Sequence, residues 1–187
     1  VFDKTGTLTK GKPEVTDVVV LDNKYVENDL VKFASIAERR SEHPLAEAIL
    51  NYAKERNVSI SEPSRFESVS GKGVAAKYKS YSIVIGNDKI FQQHKIKIND
   101  EIQNRINQLE EQGKTTVILS VNRSIIGLIA IADTLKENSR EAIEELKKLG
   151  IEPIMITGDN ERVAKAIASQ LGIDRVLAEV LPQDKEN

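Results

Sequence analysis

The sequence contains no cysteine, which excludes disulfides and thiolate metal sites and fits a reducing compartment. Its most apolar stretch, residues 125–132, falls well short of the roughly 20 residues that a membrane helix needs. Neither sign of charge dominates: 27 Lys and Arg stand against 29 Asp and Glu, and the net charge of −2 gives no reason to expect nucleic acid as a partner. No stretch reads as a signal peptide, and there is no internal repeat or low-complexity segment. What remains is a chain of ordinary globular composition, 40% hydrophobic and 30% charged. At 187 residues it has room for one domain or two small ones, and we expect it to be soluble.

The most informative stretch is Val1-Phe2-Asp3-Lys4-Thr5-Gly6-Thr7-Leu8-Thr9. Two apolar residues run into an aspartate, and a Gly/Thr-rich turn follows at once. Read alone, Asp at the head of such a turn is ordinary turn chemistry. It is also how a buried strand presents a carboxylate at the carboxyl edge of a parallel sheet, where open α/β folds place their ligands. Backbone N–H groups and hydroxyls of the turn suit phosphate oxygens.

Along the chain, residues 14–21 (EVTDVVVL) read as a strand, preceded by a polar link at 10–13. A helix capped by Asn28 or Asp29 runs to about Arg40, and a second runs from Leu45 to about Arg56 with Pro44 in its first turn. From Phe66 the period changes to two, giving antiparallel strands over 66–87. Residues 100–111 read as a helix closed by Gly113, and 115–121 and 124–132 as a hairpin around Asn122-Arg123. Beyond Asp133 helix and strand alternate: helix 136–149, strand 151–156, helix 161–171 and strand 175–180. That alternation predicts a parallel, doubly wound sheet to which the opening strand also belongs. An α+β module with an antiparallel sheet is thus inserted into an α/β domain. We place the boundaries at 1–12 with 133–187 for the parallel domain and 13–132 for the insert. The opening strand has only two residues before Asp3, and the chain stops in what reads as a starting helix, so we expect a segment of something larger, truncated at both ends.

The string Asp3 to Thr9 (DKTGTLT) resembles the phosphorylation signature of the P-type ATPases, ion pumps that pass through an aspartyl-phosphate. Ser41-Glu42-His43-Pro44-Leu45-Ala46 resembles the signature of their heavy-metal-transporting branch. On its own, His43 is an incidental residue of a helical corner. Gly71-Lys72-Gly73 and Gly86-Asn87, weak alone because paired glycines also mark bulges and turns, match that branch's nucleotide motifs in order. Thr157-Gly158-Asp159, otherwise a strand-to-helix loop with Asn160 as a cap, and Pro182-x-x-Lys185, otherwise a surface lysine, match its phosphorylation-domain segments. Ala132-Asp133-Thr134-Leu135-Lys136 resembles the hinge that returns from the nucleotide domain.

The resemblance implies a haloacid-dehalogenase-like, Rossmann-type phosphorylation domain carrying an inserted nucleotide-binding domain. It implies Asp3 as the phosphorylated group, with Lys4, Thr5, Thr157, Gly158, Asp159 and Lys185 about the transferring phosphoryl. Magnesium would be held by Asp3 and Thr5, the remaining ligand lying in a GDGxND segment that this sequence does not reach. ATP would lie against Glu42, His43, Gly71, Gly73, Gly86 and Asn87, and hinge closure would bring it to Asp3. The partners implied are the membrane helices and actuator domain of the same pump, on the cytoplasmic face of the cell membrane, with copper the expected cargo. One residue distinguishes this reading from a free-standing dehalogenase-type phosphatase. Such phosphatases carry a second Asp two residues after the nucleophile, and here Thr5 stands there, unable to deprotonate water at neutral pH. A non-catalytic nucleotide-sensing module is the other alternative, one that would need neither Asp3 nor Lys185.

Overall fold

A computed structural model describes residues 1–180; the expectations for Pro182 and Lys185 lie outside the described residues. Two compact units emerge. One comprises Val1–Lys12, Asn107–Thr115 and the chain from Ala132 onward; the other comprises Pro13–Ile106 and Thr116–Ile131.

The first unit is built on a parallel sheet of order β1-β8-β9, formed by β1 (Phe2–Asp3), β8 (Ile154–Ile156) and β9 (Arg175–Leu177). Phe2 lies opposite Met155 and Asp3 opposite Ile156, while Met155 lies opposite Val176. Helices α5 (Ser139–Lys148) and α6 (Glu161–Leu171) belong with it. Leu8, Ile143, Met155, Val163, Ile167, Leu171 and Ile173 close into one apolar core. Burying each large aliphatic chain contributes about 1.5–3 kcal/mol. The elements are shorter than the sequence predicts, for local reasons. Leu135 still lies in a strand and the Lys136 N–H goes to the Leu8 carbonyl at 3.0 Å, so α5 starts at Ser139 rather than at 136. The Ile151 N–H turns back to Leu146 O at 3.0 Å and Pro153 has no N–H to give, so β8 starts at Ile154. Past Leu177 the N–H groups of Glu179 and Val180 turn to the Asp159 and Thr157 carbonyls, which ends β9 early. The bounds of α6 match the expectation. Asn160 Oδ1 accepts the Val163 N–H at 3.0 Å at its start, and Gly172, at φ +73°, closes it.

The second unit is organised on a six-stranded sheet of order β2-β7-β6-β5-β4-β3: β2 (Thr9–Val20), β3 (Arg65–Val69), β4 (Gly73–Tyr78), β5 (Tyr81–Gly86), β6 (Thr115–Val121) and β7 (Ser124–Leu135). Strand pairs β3·β4, β4·β5 and β5·β6 are antiparallel. Helices α1 (Glu27–Glu38) and α2 (Pro44–Glu55) press Leu30, Phe33, Ile36, Ala37 and Ile49 onto Val74, Ile83, Ile85, Leu119 and Ile129 of the sheet. The remaining helices are α3 (Asp88–Gln93) and α4 (Asp100–Glu110). Three expectations need correcting. Residues 10–13 are strand, not link, and the Gly11 and Lys12 N–H groups bond to the Asp133 carboxylate on β7. The cap of α1 is Val26, and Asp29 sits three residues on, its carboxylate taking the Val26 N–H at 2.9 Å. Helix α3 was not predicted, since six residues hold too little periodicity to register.

The chain passes between the units within β2, α4, β6 and β7. Residues 107–115 belong with the first unit, whereas the sequence division assigns them to the insert. Side chains explain it: Glu110 accepts from Asn160 Nδ2 at 2.6 Å, and Thr115 Oγ1 donates to Asp159 at 3.3 Å. Asn160 therefore serves two structures at once. Replacing it by Ala should destabilise the chain by about 1–2 kcal/mol in urea denaturation, with Asp restoring most of the cap term. A loss below about 0.3 kcal/mol would show that neither bond contributes.

Candidate active site

Parallel pairing puts the carboxyl ends of β1 and β8 side by side, so Asp3 and Thr157 emerge at one sheet edge. Asp3 is half-buried there. The chain then turns through Thr5 (φ −75°, ψ 122°) and Gly6, whose φ of +78° is left-handed and favours glycine. This loop is held from several sides. Thr9 Oγ1 accepts the Gly6 N–H at 3.2 Å and donates to Asp133 Oδ2 at 2.5 Å. Lys136 Nζ donates to the Gly6 carbonyl at 2.7 Å, and Ser139 Oγ to the Leu8 carbonyl at 2.8 Å.

Lys4 points inward and is 7% exposed. Its ammonium pairs with Asp159 Oδ2 at 2.5 Å. The same carboxylate takes the Thr157 hydroxyl at 2.8 Å and the Thr115 hydroxyl. Lys4 and Asp159 thus neutralise one another, leaving any net positive charge at this edge to other residues. Lys136, exposed beside the turn, is one such cation that sequence reasoning did not assign to the site. Glu110, Thr115 and Ser139 were missed as well: each acts through long-range contacts that no local pattern encodes. Gly158 is exposed at the head of α6, and a Cβ there would meet Val180 O at 3.4 Å, ordinary contact.

In the second unit, His43 caps α2, its Nδ1 accepting the Leu45 N–H at 3.2 Å. That bond requires a bare Nδ1 and puts the ring proton on Nε2. Partial desolvation pushes the imidazole below its usual pKa, in the same direction. Glu42 is exposed. The carboxyl that faces inward is Glu38, 7% exposed, whose Oε2 finds no hydrogen-bond partner among the described residues. Burial raises its pKa to about 7, partly offset by a bond from Ser41. A signal existed in the sequence: Glu38 follows Leu30 and Ala34 at four-residue spacing, on the buried stripe of α1.

Gly73 and Gly86 lie directly opposite one another on β4 and β5, at φ +144° and +151°. A Cβ on Gly73 would come within 2.2 Å of the Ile85 carbonyl oxygen, and one on Gly86 within 2.2 Å of the Lys72 carbonyl oxygen, so the fold itself requires both glycines. Asn87 locks this junction. Its Nδ2 donates to Gly71 O at 2.9 Å, and its Oδ1 accepts the Lys89 N–H at 3.1 Å and so caps α3.

The whole chain, residues 1–187, matches the family model of the haloacid dehalogenase-like hydrolases. The chain belongs to that family. It is 47% identical over 185 residues to a probable copper-exporting P-type ATPase of Archaeoglobus fulgidus, and 43% identical to the copper-exporting P-type ATPase of Staphylococcus aureus strain JH9. Each alignment covers 99% of this chain and 22% of the relative, so the chain spans about a fifth of the curated relatives' length. Among solved structures it is similar to a zinc-transporting PIB-type ATPase in its E2.Pi state (TM-score 0.72, 36% identity, 98% of this chain and 29% of that one). It is also similar to the catalytic domain of the CPx-ATPase CopB-B (TM-score 0.67, 30% identity, 98% of this chain and 61% of that one). These likenesses agree with the P-type resemblance carried by the sequence motifs. They also agree with the fold class, a dehalogenase-like parallel sheet together with an antiparallel one.

The buried Glu38 gives a direct test. An acid with a pKa near 4.5 unfolded and about 7 folded is protonated in the native chain across that interval, where the unfolded chain is already ionised. Its native environment therefore costs nothing below the unfolded value, and the cost grows as pH rises until the folded value is passed. Glu38→Gln should match the wild type within about 0.5 kcal/mol at pH 4, where the acid is mostly neutral in the unfolded chain as well as in the native one. At pH 8 it should be more stable by about 2–3 kcal/mol in denaturant titrations. An equal difference at both pH values would contradict this environment.

Proposed function

We propose that this chain is the ATP-binding and phosphoryl-accepting part of a heavy-metal-exporting P-type ATPase, with copper as cargo. Residues 1–12, 107–115 and 132–187 form its phosphorylation domain, and 13–106 with 116–131 its nucleotide-binding domain. The observation that carries this reading is the shared strand edge of Asp3 and Thr157, with Thr5 rather than a second carboxylate two residues on.

In the reaction, one Asp3 carboxylate oxygen attacks the terminal phosphorus of ATP; the new O–P bond forms as the bond to the ADP oxygen breaks, and ADP leaves. The chain's part is positioning. The turn that follows Asp3 is pinned through Thr9, Asp133, Lys136 and Ser139, which fixes the backbone beside the Asp3 carboxylate. Lys4 and Asp159 tie β1 to the Thr157–Gly158 loop, whose backbone faces the same edge. The oxygen donors in this stretch, the Asp3 carboxylate among them, suit Mg2+, which takes one or two carboxylates and fills its shell from phosphate and water. Asp3 and Thr5 would hold it, and bound there it would neutralise phosphate charge. Among the described residues no cluster of three or more acidic, His or Cys ligands competes for it. Thr5 offers no base to activate water, so the acyl-phosphate persists until a group outside this chain supplies one. Lys185 would add a further cation at the phosphate.

Glu42, His43, Gly71, Gly73, Gly86 and Asn87 make the nucleotide cradle. Glu38 joins them, as a buried carboxyl whose pKa is raised to about 7 and which therefore suits the uncharged edge of a base better than a phosphate. Support comes from a related catalytic domain whose structures record conformational changes upon nucleotide binding (30% identity, TM-score 0.66). Among the described residues no helix is long and apolar enough to cross a membrane. The membrane helices and the actuator domain are therefore partners supplied by the rest of the pump, whose membrane this domain would face from the cytoplasm. The test is phosphoenzyme formation by the complete pump from ATP labelled in its terminal phosphate. Asp3→Asn should abolish the acid-stable label while leaving ATP affinity within about twofold. Label retained at the wild-type level would remove Asp3 as the acceptor.

A further inference from the structure

Lys72 stands out among the side chains that the proposed mechanism leaves unused. It occupies the middle of Gly71-Lys72-Gly73 and is half-buried, where most exposed lysines are solvated. Its backbone is fixed at both ends: the N–H donates to Val69 O at 3.0 Å, and the carbonyl accepts the Asn87 N–H at 2.9 Å. Around it, Asn87 holds Gly71, and Gly73 and Gly86 interlock. Only the four-carbon stem can move. The ammonium rests on a neutral acceptor, Gln93 Oε1 at 3.2 Å, and pairs with no carboxylate among the described residues. By contrast Lys4, Lys147 and Lys165 are each engaged by an acid. On the Gly71 side the turn is open, since a Cβ built there would meet nothing within 4 Å. A cation anchored at its Cα, lightly held at its tip and flanked by open space is arranged to receive an anion.

The nucleotide supplies that anion. Glu42 is acidic, burial holds Glu38 toward its neutral form and His43 is held toward its own, so none of the three offers a cation to the phosphates and this part of the cradle suits the uncharged base. We propose that Lys72 contacts the phosphate groups of the bound nucleotide, exchanging the Gln93 amide for a phosphate oxygen, and so favours ATP over the bare nucleoside. This rests on the nucleotide-binding reading of residues 13–106 and 116–131.

The experiment is calorimetric titration of the whole chain with ATP, alongside competition with adenosine at the same salt concentration. Lys72→Gln should weaken ATP by about tenfold, the scale of one hydrogen bond to a charged group, and leave adenosine unchanged. The salt dependence of ATP binding should become shallower, and Lys72→Arg should restore both affinity and salt dependence. Thermal melts identical to the wild type would establish that the variant is folded. Unchanged ATP affinity in Lys72→Gln, or equal losses for ATP and adenosine, would overturn the assignment. If the wild-type chain binds neither ligand, the nucleotide reading falls as well; if it binds both and the variant matches it, Lys72 alone is removed.

Discussion

The candidate site depends on one buried ion pair. Lys4 follows the presented carboxylate directly, and its ammonium is turned away from solvent onto Asp159. Taking two charges out of water costs several kcal/mol, and their attraction offsets that only with good geometry and satisfied lone pairs. Both conditions are met: the contact is short, and Asp159 also receives the Thr157 and Thr115 hydroxyls. A pair of this kind adds little net stability over an apolar pair but fixes arrangement strongly, because breaking it leaves a naked buried charge. What it fixes is the position of the β8–α6 loop against the end of β1. The parallel sheet alone would not do so, since β1 offers only two residues to the ladder.

A consequence follows for the chemistry. On the function proposed above, the lysine next to Asp3 is spent on structure, so charge compensation would fall to Mg2+, to Lys136 and to Lys185. The hydroxyl of Thr157 is likewise engaged by Asp159, and on the proposed reaction it would exchange that bond for one to a phosphate oxygen. Positioning and charge supply are thereby divided between different side chains. A carboxylate attacking a phosphorylated anion needs both.

Much of this was legible in the sequence, and what was not has identifiable causes. Period-two and period-3.6 patterns located α2, α4, α6 and the β6–β7 hairpin, because each is long enough to repeat. Element ends at 10–13, 136–138, 151–153 and 178–180 were misplaced where a distant partner holds the chain, such as Asp133 for Gly11 and Leu8 for Lys136. Of the site, the strings around Asp3, His43, Gly71 and Thr157 could be read directly. The groups that hold those strings in place could not. Thr115, Glu110 and Ser139 lie far along the chain from what they touch, and a single hydrogen bond leaves no trace in local composition. Glu38 is the exception, a carboxyl on an apolar stripe that its spacing gives away.

The central claim, that the Lys4–Asp159 pair organises the acceptor edge, is tested most directly by a double-mutant cycle in urea denaturation with Lys4→Met, Asp159→Asn and the two combined. Each single variant should cost about 3–5 kcal/mol by stranding a buried partner. The double variant should recover at least about 2 kcal/mol of the summed loss. Additive losses would contradict the claim and reduce the pair to two independent side chains.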